Sequence, residues 1–328
     1  MKAVKSIVVG LMVSLFLTTM LFGLTNFPNG VSSFGMPVLP GDGLLTTGKV
    51  FFVSSSNVKV GSNANSGTEP DWPMKTIGGA LAQSVSGRGD VIYVMPRHIE
   101  YVATNGGLAV SVPNVKIIGL GVGTSAPKIA LITTLNACVS VNAASVLFEN
   151  IVFEAQVSVN RGIDVTSTDF GLKKSVFQDA STAEPAKNWV TLEDGSDRAY
   201  IVGNRVRQNS GANSFLVFIG ADDLYVGDND IQGNYQNGNL QAPTVANIGT
   251  CNAMVIAYNV MKNSLGGSTG NIVLSPSSNG IIAYNALAIV NGAKGTWIPT
   301  SNSDIQLIEN YGTNLPGVTG RLIGVAAQ

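Results

Sequence analysis

Short apolar runs recur along the last two thirds of the chain, separated by Gly, Asn, Asp and Ser. Seven of these runs align at one polar position, which is asparagine in six of them and serine in the seventh. The aligned residues, 25 to 30 positions apart, are Asn150, Ser175, Asn204, Asn229, Asn259, Asn285 and Asn310. Self-similarity at such a period is typical of a solenoid, in which equivalent residues stack from coil to coil.

The apolar runs predict strands. They are short and rich in Val, Ile, Phe and Tyr, and none of the seven units has the roughly ten residues of 3.6 periodicity that a helix requires. A unit of this length made only of strands closes as one coil of a parallel β-helix. The sequence therefore predicts an all-β chain that forms one right-handed parallel β-helix of about eight to ten coils, with neighbouring strands about 4.8 Å apart.

The recurring asparagine has a physical explanation at a corner between two strands. Asparagine tolerates the left-handed backbone conformation that a sharp corner requires. Its side-chain amide both donates and accepts, so a column of asparagines is expected to form a hydrogen-bonded ladder along the stack. At Ser175 the hydroxyl keeps one of these two bonds.

The same alignment predicts which charged residues are stacked neighbours. One position after the column, Arg205 and Asp230 fall on adjacent coils. Six positions before it, Asp169, Arg198 and Asp223 follow one another with alternating charge, which suits an exposed turn that avoids like-charge contacts. Both sets of charges therefore have a structural interpretation.

The N-terminal region has a different composition. Two lysines precede an uncharged apolar run at residues 7–24. This pattern fits a secretory signal peptide, and the run also reaches the lower limit of a membrane span, so residues 1–24 are a signal peptide or a hydrophobic anchor. Residues 25–48 are rich in Pro and Gly and predict an extended linker or arm.

Residues 49–105 predict an N-terminal cap and a first coil. Strands are expected at residues 49–54 and 90–95, and an amphipathic helix near residues 74–85 follows Pro73. A helix there would cover the open end of the stack, which otherwise presents unpaired backbone. The β-helix itself is assigned to residues 106–314. The C-terminal tail at residues 315–328 is expected to cover the other end or to join subunits.

Composition excludes several functional classes. Charged residues make up 12% of the chain and the formal net charge is −1, so binding to nucleic acid through a basic patch is not expected. Cys138 and Cys251 fall at different positions of distant coils and are predicted to be buried thiols, not a disulfide. His98 is the only histidine, which excludes a metal site built from several imidazoles.

The order of motifs near the N-terminus resembles a known family. It consists of Gly67-Thr68, Pro73, Thr76-Ile77, Ala80-Leu81, Gly89-Asp90, Ile92-Tyr93-Val94 and Pro96. It is similar to the N-terminal part of right-handed parallel β-helix proteins of the pectate-lyase-like superfamily. Parts of residues 26–53 also resemble β-helix structural proteins of tailed phages. Some members of this fold class cleave polysaccharides with aspartates, an arginine and Ca²⁺, and others are viral structural proteins. Arg97 stands where viral relatives commonly have glycine before the histidine.

One group of residues is a candidate for such chemistry. The catalytic candidates are Asp223, Asp228 and Asp230 together with Arg205, and they lie close to Asp222 and Arg207. Carboxylates on neighbouring coils can act as acid and base, or bind Ca²⁺ through their oxygens. Against this, the alignment places Asp223 in a turn and gives Asp230 an arginine neighbour. No cofactor is expected beyond that possible Ca²⁺ ion.

Two functions from different classes follow. The first is a structural β-helix of a virus particle or a secreted surface assembly, a non-catalytic homotrimer that contacts capsid or surface-layer proteins in the virion or outside the cell. The second is a secreted polysaccharide lyase or glycoside hydrolase. Tyr258 and Tyr284 directly precede the column on adjacent coils, and are interpreted as a stacked pair or a contact surface.

Overall fold

The structure is a computed structural model that describes residues 31–33, 36–38, 46–56, 59–181, 185–208, 211–242, 250–265, 270–275, 278–290, 304–315 and 321–323. The predicted signal peptide or anchor at residues 1–24 lies outside them. The chain divides into two compact units, Met1–Thr47 and Gly48–Gln328. In the first unit, β1 (Val31–Ser33) pairs antiparallel with β2 (Met36–Val38) as a short hairpin.

The second unit is built of three sheets whose neighbouring strands pair in parallel, except for the last strand of the second sheet. The described strands of the first sheet are β3 (Val50–Val53), β6 (Val91–Val94), β9 (Lys116–Gly119), β12 (Leu147–Glu149), β15 (Gly171–Lys173), β18 (Tyr200–Val202), β21 (Tyr225–Gly227), β24 (Met254–Ala257), β27 (Gly280–Ala283) and β29 (Ile305–Ile308). Those of the second sheet are β7 (Ile99–Val102), β10 (Lys128–Leu131), β13 (Val152–Ala155), β16 (Val176–Asp179), β19 (Arg205–Arg207), β22 (Asp230–Gly233), β25 (Val260–Asn263), β28 (Ala286–Val290) and β30 (Asn310–Leu315).

The third sheet contains β8 (Leu108–Val110), β11 (Val139–Val141), β14 (Val159–Val165), β17 (Ala186–Leu192), β20 (Ser214–Phe218), β23 (Leu240–Gln241) and β26 (Ile272–Val273). Each coil runs from the first sheet to the second and then to the third. The predicted parallel β-helix is confirmed. In the described residues, seven coils contribute a strand to all three sheets, fewer than the eight to ten expected. The two remaining C-terminal coils have described strands in the first and second sheets only.

Both ends of the stack carry additional elements. The predicted capping helix is confirmed as α1 (Ile77–Gln83), where the Thr76 hydroxyl accepts a hydrogen bond from the Gly79 N–H at 2.9 Å. It buries Ile77, Ala80 and Leu81 at the position that a third-sheet strand would occupy. Beside it, β4 (Ser55–Ser56) and β5 (Lys59–Val60) form a small hairpin, and Gly123–Ser125 form a 3₁₀ turn.

At the C-terminal end, β31 (Arg321–Ile323) pairs antiparallel with β30 and extends the second sheet. Part of the predicted tail at residues 315–328 therefore adds to the sheet that ends the stack. In the part of the chain that the structure describes, no helix is long and apolar enough to cross a membrane.

The core lies inside the three sheets and is rich in aromatic residues at its centre. Phe153 and Phe177 stack on successive coils, with ring centroids 4.9 Å apart and planes 7° from parallel. Trp189 and Phe215 meet the Phe177 ring edge-on at 5.4 and 5.3 Å. All of these side chains are fully buried. Stacking of equivalent residues thus fills the interior as well as the corners.

A ladder of hydrogen bonds follows the corner between the first and second sheets. The Oδ1 atom of each asparagine accepts the backbone N–H of the column residue one coil earlier, from Ser175 to Asn204 at 2.9 Å through Asn285 to Asn310 at 3.0 Å. Each Nδ2 atom also donates to a first-sheet carbonyl oxygen, as from Asn229 to Ile201 at 2.8 Å. Because these asparagines are buried, the ladder satisfies backbone groups that water does not reach.

Asn150 does not belong to this ladder, so its predicted place in the column is wrong. Val152 pairs with Val176, which puts Ile151 at the position of Ser175. The Ile151 N–H donates to the Ser175 hydroxyl at 3.3 Å, so the column continues without an amide. Asn150 Nδ2 instead donates to the carbonyl oxygens of Gly119 and Gly121, at 2.7 and 3.0 Å.

The left-handed conformation predicted for the asparagine column occurs one residue earlier. The residues that adopt it, with φ between 43° and 68°, are Asn150, Lys174, Gly203, Asp228, Tyr258, Tyr284 and Glu309. The corner therefore divides the two tasks between adjacent positions. One residue turns the backbone, and the next supplies the buried amide. Because Asn suits both tasks, Asn150 matches the column in sequence although it occupies the turning position.

Candidate functional site

The predicted catalytic carboxylates lie at separate places on one coil. Asp223 is at the corner between the third and first sheets, Asp228 is at the end of β21, and Asp230 begins β22. Five residues separate Asp223 from Asp228, or about 16 Å along an extended strand. Carboxyl pairs that hydrolyse glycosidic bonds are about 5 to 10 Å apart. By this spacing, Asp223 and Asp228 are too far apart to act as such a pair.

Asp230 has an arginine partner, but not the one that was predicted. Arg205 and Asp230 are neighbours in the parallel register, as expected. The ion pair is instead formed by Arg207 Nη2 with Asp230, while Gln232 Nε2 donates to Asp230 Oδ1 at 2.9 Å. Burial raises the pKa of Asp230, but the hydrogen bonds from Arg207 and Gln232 outweigh it and the pKa is lowered. The Arg205 side chain is exposed.

The corner between the third and first sheets contains a second set of cross-coil contacts. Arg198 donates through Nε and Nη2 to the two Asp169 oxygens at 2.7 and 2.9 Å, and these hydrogen bonds lower the pKa of Asp169. Asp222 Oδ1 accepts the Asn252 N–H of the next coil at 2.7 Å. Asp169, Arg198 and Asp223 all have left-handed backbones here. These charged residues shape the turn.

Two further carboxylates are held by several donors. Asp90 is buried and accepts from the Lys49 and Val85 backbone N–H groups at 2.7 and 2.8 Å, and from Arg88 Nε and Nη2 at 2.6 and 2.7 Å. Glu154 accepts from Lys128 Nζ at 2.7 Å and from two glutamine amides. Burial raises the pKa of each group, but the hydrogen bonds from these partners lower it by more.

Stability is therefore expected to fall in acid. Asp90, Glu154, Asp169 and Asp230 all have a pKa below the usual value, so each contributes stability above its unfolded pKa, about 3.9 for Asp and 4.3 for Glu. That contribution is lost as the pH falls through the lower folded pKa. The urea midpoint should be constant from pH 7 to 5 and should drop below pH 4. In Asp90→Asn, which has lost one of these titrating groups, the drop should be smaller. A wild-type midpoint that is equal at pH 7 and 3 would refute this.

A cleft of about 720 Å³ lies near the N-terminal end of the stack, lined by Ser55, Ser56, Lys75, Thr76, Arg97, Ile99, Glu100 and Tyr101. Glu100 points into the core, where its Oε2 atom accepts the Ile77 N–H of α1 at 3.0 Å and lies 2.9 Å from His98 Nε2. His98 is fully buried. These contacts attach the capping helix to β7, so Glu100 and His98 both have a structural role.

A polar groove of about 310 Å³ lies on the outside of the third sheet, lined by Asn105, Asn136, Cys138, Asn160, Arg161 and Asp164. Arg161 Nη1 donates to Asp164 Oδ1 at 2.8 Å and also to Glu193 Oε1 on the next coil. Burial lowers the pKa of Arg161, but the two carboxylates outweigh it and raise the pKa. The groove therefore combines an arginine, a carboxylate and several amides, and Glu193 contacts the arginine from the next coil.

Sequence reasoning missed this groove because strand alternation is interrupted there. Gly162 and Ile163 are both buried, so Arg161 and Asp164 both reach the outer surface. A Cβ atom on Gly162 would lie 2.7 Å from the Trp189 ring, so only glycine fits this close approach. A glycine inside a strand pattern was the available signal for such an interruption.

Cys138 and Cys251 are buried thiols that form no disulfide, as predicted. Burial raises the pKa of both thiols, that of Cys251 to about 11. Within the described ranges, no group of three or more His, Cys, Asp or Glu side chains is arranged to hold a metal ion.

Comparison with known proteins identifies the fold. No protein-family model and no curated protein sequence matches the chain. A solved structure of a rhamnogalacturonan lyase matches with a TM-score of 0.50 and 12% identity, over 82% of this chain and 83% of that one. The ORF18 protein of Geobacillus virus E2 matches with a TM-score of 0.33 and 13% identity, over 72% of this chain and 56% of that one. At this identity the lyase match supports the fold of the chain, a parallel β-helix, and no more than the fold.

Proposed function

We propose that this protein is a structural parallel β-helix of a virus particle or a secreted surface assembly. It acts as a non-catalytic homotrimer, in the virion or outside the cell, and contacts capsid or surface-layer proteins. The observation that carries the proposal is that its charged side chains form ion pairs between neighbouring coils. Arg207 with Asp230, Arg198 with Asp169, and Lys128 with Glu154 each link one coil to the next.

Ion pairs between coils stabilise a stack of coils, and they leave these side chains poorly suited to catalysis. A solenoid is stabilised mainly by interactions between neighbouring repeats. Cross-coil ion pairs at the surface add to the buried asparagine ladder at the corner. An acid or base that works in catalysis must instead exchange protons with a substrate.

The alternative function is that of a secreted polysaccharide lyase or glycoside hydrolase. The specific observation in its favour is the groove on the third sheet, where Asp164 and Glu193 on neighbouring coils share Arg161. Two carboxylates near one bound sugar can divide the roles of acid and base. In the resting protein the arginine is bonded to both of them.

One assay separates the two functions. Purified full-length protein is incubated with acidic and neutral polysaccharides, and both new reducing ends and the absorbance of unsaturated products are recorded. We expect no signal above buffer, and the same result for an Asp164→Asn/Glu193→Gln variant. Cleavage by the wild type that is lost in this variant would assign the enzymatic function. A parallel Asp223→Asn/Asp228→Asn/Asp230→Asn variant tests the candidates that the sequence suggested.

A further inference from the structure

The outer face of the first sheet is largely apolar over its last coils, with Gln306 as its polar member. Val226, Ile256, Ile282 and Leu307 point into the core, so the alternate residues on the same strands point outwards. On β21, β24, β27 and β29 these outward residues are uncharged, and the large apolar ones are Tyr225, Val255, Ile281 and Ile308. We name them, together with Tyr258 and Tyr284 at the adjoining corner, the apolar strip.

The two corner tyrosines are the most informative members of the strip. Their rings stack with centroids 5.1 Å apart and planes 9° from parallel, and the side chains are 55% and 43% exposed. Both residues have a left-handed backbone, with φ of 60° and 57°. This conformation is strained for an aromatic residue. Lys174, Gly203, Asp228 and Glu309 hold the same position on other coils, so the corner itself does not require tyrosine.

The strip continues around the corner onto the second sheet. Val260 and Tyr311 lie on its outer face and are 49% and 54% exposed. Five of the eleven exposed large hydrophobic residues in the described part of the chain thus lie on three neighbouring coils: Tyr258, Val260, Tyr284, Ile308 and Tyr311. Exposed apolar groups at this density are typical of an interaction surface.

Polar contacts border the strip on both sides. At the corner with the third sheet, Asn279 Nδ2 donates to Asn252 Oδ1 at 2.7 Å. On the second sheet, the ion pair between Arg207 and Asp230 lies beyond Val260. An apolar centre with a polar rim is the usual composition of a protein–protein interface.

We propose that the apolar strip is the surface through which copies of this chain pack together. This inference deepens the proposed function and rests on it. Four coils at about 4.8 Å and about six residues at 3.3 Å across the corner give roughly 380 Å² of largely apolar surface. A standard interface buries about 800 Å² per partner, of which about 57% is apolar, or roughly 450 Å². The strip therefore supplies most of the apolar area that one such interface buries.

The shape of the strip favours a second copy over an unrelated partner. Its side chains repeat along the axis with the strand spacing of about 4.8 Å, and another copy of the solenoid carries the same repeat. Because the strip wraps a corner, it faces two directions at once. Three corners that converge on a threefold axis would bury both faces of each copy, which matches a closed cyclic assembly.

The test replaces the two tyrosines without disturbing the backbone. In Tyr258→Gly/Tyr284→Gly, glycine accepts the left-handed conformation, so the fold should persist. We expect sedimentation of the full-length variant to give a self-association constant at least about 30-fold weaker than wild type, as for loss of an interface hot spot. Lys174→Gly is the matched control, since it removes a side chain from the same corner column outside the strip. It should sediment as wild type does.

The outcomes distinguish the inference from the proposed function. Circular dichroism melting of all three proteins checks that they fold alike. If the double variant remains as fully associated as wild type, the strip is not the contact surface, although an assembly function stands. If wild type is monomeric at all concentrations tested, both the packing inference and the homotrimer are overturned. Association through the apolar run at residues 7–24 is present in every protein compared, so it cannot produce the expected difference.

Discussion

Replacing Asn259 by alanine is expected to lower the free energy of unfolding by about 4 kcal/mol, because several buried groups lose their partners together. Its Oδ1 atom accepts the Asn229 N–H at 3.0 Å and Asn229 Nδ2 at 2.9 Å. Its Nδ2 atom donates to the Val226 carbonyl oxygen at 2.9 Å and to Asn285 Oδ1 at 3.0 Å. Alanine leaves these donors and acceptors buried without a substitute.

The matched control is Asn150→Gly. Asn150 lies one position outside the column, and glycine preserves its left-handed backbone. Its two hydrogen bonds are only partly buried, so a loss of about 1 kcal/mol or less is expected. Urea unfolding followed by circular dichroism compares the two variants. Equal losses would contradict the assignment of the ladder to the buried column.

Phe177→Ala is expected to have a similarly large effect, about 4 kcal/mol of unfolding free energy, because it opens a cavity in the aromatic centre of the core. The Phe177 ring contacts Phe153, Trp189 and Phe215, each with centroids within 5.4 Å. These neighbours belong to the preceding coil, the same coil and the following coil. Their positions are fixed by the strand register, so the cavity should collapse only in part.

An exposed aromatic residue serves as the control for this substitution. Tyr101 lies on the outer face of the second sheet and is 60% exposed, so Tyr101→Ala should change the unfolding free energy by no more than about 0.5 kcal/mol. Thermal and urea unfolding of both variants give the comparison. A small effect of Phe177→Ala would mean that the coils repack freely, which the stacked geometry does not allow.

The architecture was predictable because each coil of a solenoid repeats the same residue types at a regular spacing in the sequence. The strand composition and the spacing of the column were enough for the parallel β-helix, and the amphipathic pattern after Pro73 was enough for the capping helix. The position of Asn150 was not predictable, since two adjacent corner positions both favour asparagine. The two positions differ only in their hydrogen bonds, because only the second one places its side-chain amide in the buried ladder.

The chemistry of the surface was harder to predict, because it depends on which alternate residue points outwards. Arg205 and Arg207 both point outwards from β19, and Arg207 forms the ion pair with Asp230 although Arg205 is its register partner. The groove around Arg161 depends on a break in the inward and outward alternation of β14, which a periodic pattern does not predict. Tyr258 and Tyr284 stack as the sequence suggested, but their place in a larger apolar strip required the register of the first sheet.

Native mass spectrometry of the purified full-length chain measures directly how many copies assemble. We expect an assembly of three 34.0 kDa chains, about 102 kDa in mass, if no segment is removed. If the N-terminal segment is cleaved, the mass should still be three times that of the mature chain. A single species at the mass of one chain, at every concentration measured, would contradict it.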